Sequence, residues 1–308
     1  MMQDPSKKEA YFLSCLPYRR KIYEEGGYRI LPGQDGFMSL IENYYSGAEI
    51  KKAMRRAITL LERNDNFLLQ NHPLYPPLLR QIFDPPAVLF YKGNLSQINK
   101  KYLAIVGTRS PVALTLAATE ILITAMNPSQ TVIVSGNARG IDRKAHEVAV
   151  SCKMATYAIL GSGIGMVKNI NPAITYVSEF APDEIAHPYH FPRRNRIIAG
   201  ICEKIFIMQA PYKSGARITA SFALDENREI AAFDHPLLME EGLNEGCRKL
   251  IEEGAGRIVL ENMEIITQPA YSKKNLEKQL TFWQEHNAGN LYYIGKSRWI
   301  KKRKEWEN

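Results

Sequence analysis

Between residues 103 and 260, short apolar runs alternate with amphipathic stretches. The runs are 103–106 (LAIV), 131–134 (TVIV), 155–160, 174–177, 204–208 (KIFIM), 229–233 and 257–260. They are continuous rather than alternating, and most end at glycine or serine, as strands buried on both faces do. The segments 112–126, 142–150, 218–225 and 250–253 between them carry helical periodicity. Buried strands separated by helices predict an α/β domain with a mostly parallel sheet covered on both faces.

Upstream the pattern is helical. The stretch 49–63 (EIKKAMRRAITLLER) places Ile50, Met54, Ile58 and Leu61 at helical spacing between charges, which predicts a packing helix. Residues 1–71 are accordingly assigned to a small helical N-terminal domain. A proline-rich stretch follows, with Pro76, Pro77, Pro85 and Pro86 favouring extended or turn backbone. It makes 72–99 an entry segment of the α/β domain, which runs over 72–268. Residues 269–308 form a polar, basic tail with no confident winged-helix pattern, in which 296–304 (KSRWIKKRK) holds six positive charges.

Composition narrows the class. Of 308 residues, 45% are hydrophobic and 23% charged, the balance of a soluble globular protein. No apolar run approaches the roughly 20 residues that span a bilayer. The opening MMQDPSKKEAYF lacks a secretory signal. Four scattered cysteines without a CxxC pair speak against a zinc site or disulfide framework and fit a reducing, cytoplasmic setting. A net charge of +8 favours a polyanionic partner.

Ligands of open parallel sheets bind beyond the carboxyl ends of the strands. Here those ends carry Gly107-Thr108-Arg109, Ser135-Gly136 with Arg139, Gly161-Ser162-Gly163, Ser178-Glu179, and Lys213-Ser214-Gly215 with Arg217. Glycines admit a phosphate to the backbone, hydroxyls and helix N-termini donate to it, and arginine forks fit its oxygens. The densest basic cluster is 191–200 (FPRRNRIIAG), where Pro192 is expected to stop any helix before it. Its arginines oppose the dipole of the helix they open, which implies either a bound phosphate or pairing with Glu179 or Asp183. The glycines 161, 163 and 165 do not match a dinucleotide fingerprint, and no GxxxxGK[ST] loop is present, so no cofactor is expected. Asp142 is placed as a helix cap with His146 a turn later, either a structural cap and packing histidine or a catalytic pair. His187 and His190 lack a third ligand for a metal. No nucleophile, base and orienting group converge, so no enzyme is expected.

These strings together resemble the DprA/Smf family, the DNA-processing proteins of bacterial transformation. The carriers are YPPLLRQIFDPPAVLFYKGNL, AIVGTRSP, IVSGNARGIDRKAH, AILGSGIG, VSEF, FPRRNRIIAG, SGARITASFALDENREIAAF and EGCRKLIEEGAG, over about 72–260. The resemblance implies an extended, doubly wound Rossmann-like fold behind a SAM-like helical domain. It implies a non-enzymatic protein that binds single-stranded DNA, protects it, loads the RecA recombinase and forms a homodimer. By motif, the DNA site would comprise Gly107, Thr108, Arg109, Ser135, Gly136, Arg139, Arg193 and Arg196, with Lys213, Ser214, Gly215 and Arg217 at the rim and Lys168 nearby. Phe191 or Tyr212 would stack bases. The sequence departs from the family in a shortened loop after Gly163, which would leave one wall open. It departs also at Gln209 in place of an acid, at 233–236, and at Gly246-Cys247-Arg248. The competing reading is a nucleotide or phosphoribosyl hydrolase on a related scaffold, with Glu179 as acid or base. The Pro-Gly-Gly-x-Gly-Thr loop of such enzymes is absent. A pure adaptor role leaves the strand-end arginines unexplained.

Overall fold

The structure is a computed structural model that describes residues 5–18, 36–95, 99–240, 242–261, 264–268, 291–293 and 299–301. Three helices come first: α1 (Pro5–Cys15), α2 (Phe37–Tyr44) and α3 (Gly47–Leu60). Then come β1 (Asn66–Leu69), α4 (Pro77–Arg80), β2 (Val88–Lys92), β3 (Lys101–Val106), α5 (Ala113–Thr124), β4 (Thr131–Ser135), α6 (Ile141–Ser151), β5 (Ala155–Ile159) and β6 (Thr175–Ser178). The second half holds α7 (His190–Ile201), β7 (Lys204–Ile207), α8 (Gly215–Asp225), β8 (Glu229–Asp234), α9 (Pro236–Glu240), α10 (Glu245–Glu252), β9 (Gly256–Glu261) and β10 (Glu264–Gln268). Apart from a hairpin of 291–293 with 299–301, the basic tail lies outside the described residues.

Among the described residues, ten strands form one sheet in the order β1-β2-β6-β5-β4-β3-β7-β8-β9-β10. The stretch from β6 to β9 is parallel throughout, while β1, β2 and β10 add antiparallel edges. Both faces are covered. Ile105, Ile133 and Phe206 pack with Leu122 and Ile123 of α5 and Ala145 and Val148 of α6. Ala104, Val134 and Ile207 pack instead with Ile197 and Ile198 of α7, Ala220 of α8 and Leu250 of α10. The α/β, mostly parallel expectation therefore holds.

Three local expectations are corrected. On α3 the buried stripe is Ile50, Ala53, Ala57 and Leu60, while Met54 and Ile58 are 42% and 62% exposed. The small alanines let α3 lie close against α1, so the inward face is set by close approach rather than by the bulkiest residues. The sheet starts before residue 72, because β1 pairs with β2 in register Phe67 to Phe90. Four residues are too few for a period to be read. Pro192 is the third residue of α7, which begins at His190; a missing N–H costs nothing in the first turn.

The N-terminal helices share one apolar cluster with Val88, Phe90, Ala158 and Tyr176 of the sheet. Arg56 of α3 fastens them further, 2.6 Å from both Asp183 and Glu184 beyond β6.

Candidate nucleic-acid interface

Strand order reverses at β3 and β7: from β3 the chain winds outward through β4, β5 and β6, and from β7 it winds the other way through β8 and β9. The loops leaving these two neighbours diverge and open a crevice, the topological switch point of a doubly wound sheet. A cavity of about 310 Å³ occupies it. One wall is Gly107, Thr108 and Arg109; the other is Lys213, Ser214 and Gly215 at the start of α8; Phe191, Arg194 and Asn195 of α7 close the base.

The first wall is fixed by backbone. Thr108 N–H donates to Gln209 O at 2.8 Å, and Ile141 N–H to Thr108 O at 3.2 Å. A side chain on Gly107 would stand 2.7 Å from Ile141 Cγ1. Gly140, at φ 88°, passes so near Thr108 O that a Cβ would lie 2.5 Å from it. Gln209 is buried and accepts from Val112 N–H at 3.2 Å, tying the loop after β3 to the end of β7. Arg109 projects from this wall, exposed, with its guanidinium 5.5 Å from the Phe191 ring centroid. On the second wall Ser214 caps α8, accepting from Arg217 N–H at 3.4 Å, and Gly215 has open space where a Cβ would be.

The floor holds two buried charges. Arg194 Nη1 donates to Gly136 O at 2.6 Å and to Ile159 O, and its Nε donates to Asn195 Oδ1 at 3.1 Å. Asp142 Oδ2 accepts from Gly136 N–H at 3.1 Å and Ala138 N–H at 3.3 Å. Burial pulls the Arg194 guanidinium down to a pKa of about 10, opposed by the charge of Asp142 and reinforced by that of Arg109. Burial also raises the Asp142 carboxyl, against the Arg194 charge and the two amides. Asp142 is therefore not a helix cap, since Gly140 precedes the helix; it pins the loop after β4. His146 packs beneath with Nδ1 2.7 Å from Thr156 Oγ1, and burial lowers its pKa to about 3.

The expected site residues thus divide. Gly107, Thr108, Arg109, Lys213, Ser214 and Gly215 line the crevice. Ser135 and Gly136 lie underneath, where Ser135 Oγ donates to Ile105 O at 2.6 Å and Gly136 is spanned by Asp142 and Arg194. Arg139 is exposed beside the crevice, its Nε 3.3 Å from Arg109 O. Arg217 turns outward, over the Tyr212 ring at 5.2 Å and 3.8 Å from Glu253. Lys168 is exposed on the short loop after β5 and lines neither the crevice nor the larger cleft beside α7.

Arg193 and Arg196 belong elsewhere. Both reach Glu179 Oε2, at 2.9 and 2.5 Å, and Arg196 also reaches Asp84 at 3.1 Å. Arg196 is 3% exposed. The pairing alternative therefore describes these two arginines, because they leave the helix on the side facing the N-terminal elements. Arg194, absent from the expected set, is the arginine under the crevice. Its spacing of three and four residues from Ile197 and Ile198, both buried, put it on the inward stripe. His190 bonds Gly161 O at 3.1 Å; among the described residues no group of three or more potential metal ligands gathers.

The chain is thus an α/β protein with a doubly wound, mostly parallel sheet and a basic, glycine-walled crevice at its switch point. The sequence model of DNA recombination-mediator protein A matches residues 66–270, and the chain belongs to that family. It is 36% identical over 203 residues to the DNA processing protein DprA of Streptococcus pneumoniae, covering 63% of this chain and 71% of that one. To the Bacillus subtilis DprA it is 34% identical over 228 residues, covering 71% and 74%. The X-ray structure of S. pneumoniae DprA superposes with a TM-score of 0.70 at 30% identity, over 82% of this chain and 94% of that chain. A structure of Helicobacter pylori DprA, a protein with a single-stranded DNA binding mode of its own, shares the fold at TM-score 0.54 and 22% identity, over 70% and 96%.

Proposed function

We propose that this recombination-mediator chain binds single-stranded DNA in the switch-point crevice and passes it to a RecA-type recombinase, acting as a homodimer. The observation that carries the reading is the pair of facing cations at the crevice mouth. Among the described residues, no carboxylate pairs with Arg109 or Lys213. Between them stand a capped helix start and an aromatic ring. Such a groove takes a phosphodiester backbone, with Phe191 and the exposed Tyr212 available to bases. Membership of the family supports the same ligand, as does the single-stranded DNA binding of the H. pylori protein.

The hydrolase reading loses its acid, because Glu179 is locked between two arginines outside the crevice. The test is fluorescence anisotropy with a labelled oligo-dT. Arg109→Ala combined with Lys213→Ala should weaken binding at least about tenfold, from two lost phosphate contacts, with an unchanged melting temperature. Equal affinity in the double variant would place the strand elsewhere. Release of free base from nucleoside monophosphates would revive the enzyme.

A further inference from the structure

The crevice floor contains a carboxylate, an odd neighbour for a phosphate. Asp142 and Arg194 are joined through a single residue: Gly136 gives its N–H to Asp142 and its carbonyl to Arg194. A Cβ at Gly136 would stand 2.5 Å from Arg194 Nη1, so no other residue lets the guanidinium lie so close. Arg194 is 5% exposed, yet it lines the crevice. Its Nε and Nη1 are engaged, and among the described residues none accepts from Nη2. Resting on the reading of the crevice as the strand-binding site, we propose that Arg194 Nη2 seats one phosphate on the floor, with Arg109 closing over it. Asp142 is the positioning residue that aligns the Gly136 peptide and holds the seat's affinity down.

The two roles of Asp142 have opposite signs. Its hydrogen bonds order the loop after β4, which favours binding. Its charge offsets that of Arg194, so that without Arg109 the floor is close to neutral, which disfavours an anion. An asparagine keeps an acceptor for the two amides and removes the charge. The structure therefore singles out a substitution inside the binding site that strengthens binding.

The experiment uses the full chain and two probes, inorganic phosphate followed by ³¹P NMR and labelled oligo-dT followed by anisotropy. Asp142→Asn should bind both about tenfold more tightly, the effect of deleting one nearby like charge in a partly screened site. Arg194→Gln combined with Asp142→Asn replaces two buried charges by neutral polar groups, which keeps the pair matched for folding. This double variant should lose the phosphate. Unchanged or weaker phosphate binding by folded Asp142→Asn overturns the proposal, as does phosphate retained by the double variant; the latter decides alone if the single variant does not fold. If phosphate follows the expected order while the unmodified chain ignores oligo-dT, the seat stands and the strand-binding reading falls.

Discussion

At the scale of the residue, the arginines of 193–196 show how one run serves three ends. Arg193 lies over the Tyr18 and Phe180 rings at 4.4 and 5.2 Å and pairs with Glu179; Arg196 joins Glu179 to Asp84; Arg194 turns under the sheet ends. The sequence showed a basic cluster after a proline but not which way each side chain leaves, because the stripe position depends on where the helix begins. Truncating one partner of a buried ion pair leaves the other desolvated, at about 3–5 kcal/mol. Arg196→Ala should therefore lower the denaturation midpoint strongly, whereas Arg109→Ala, at an exposed position, should leave it unchanged. Chemical denaturation of both variants checks this; equal stability would mean that Glu179 is solvated. His146 adds a pH term. It is neutral in the fold, with a pKa of about 3 against 6.5 for a free histidine. Above pH 6.5 both states are neutral and it contributes nothing. As pH falls from 6.5 toward 3 the unfolded chain takes up the proton first, and stability drops by up to about 1.4 kcal/mol per pH unit. His146→Gln should flatten that part of the stability curve in denaturation series from pH 7 to pH 4. An unaltered slope would show that His146 is not the titrating group.

At the scale of the element, periodicity revealed the parallel strands and the helices between them, because burial on both sides leaves little choice of residue. It failed where small residues face inward. Ala53 and Ala57 give no apolar signal against Met54 and Ile58, yet they lie buried in the cluster shared with α1 and the sheet. A direct consequence is that Met54→Ser and Ile58→Ser should each change stability by no more than about 0.5 kcal/mol, as surface substitutions do. Ala57→Leu should cost about 1–3 kcal/mol by overpacking. Thermal melts of the three variants distinguish the observed stripe from the one expected from the sequence; the reverse ranking would rotate α3 on its axis.

At the scale of the whole molecule, two sources of attraction for a polyanion have to be separated: the overall charge of +8 and the crevice. The expected site combined both, since every strand-end arginine was assigned to one groove. In the structure some of those charges are spent internally, on Glu179, Asp84 and Glu253, and the crevice keeps Arg109, Lys213 and the Arg194 floor. The split was not legible beforehand because the carboxylates that neutralise the others come from distant segments. Salt dependence separates the sources. On a single strand each phosphate contact contributes about −0.7 to the slope of log affinity against log salt, so about four contacts give roughly −3. If binding is local, Arg109→Ala should make the slope shallower by about 0.7, while charge-reversing Lys51 and Lys52, exposed on α3, should leave it nearly unchanged. If the whole-protein field is what attracts the strand, both changes should act according to net charge alone, and the α3 double reversal, with its larger change, should have the greater effect.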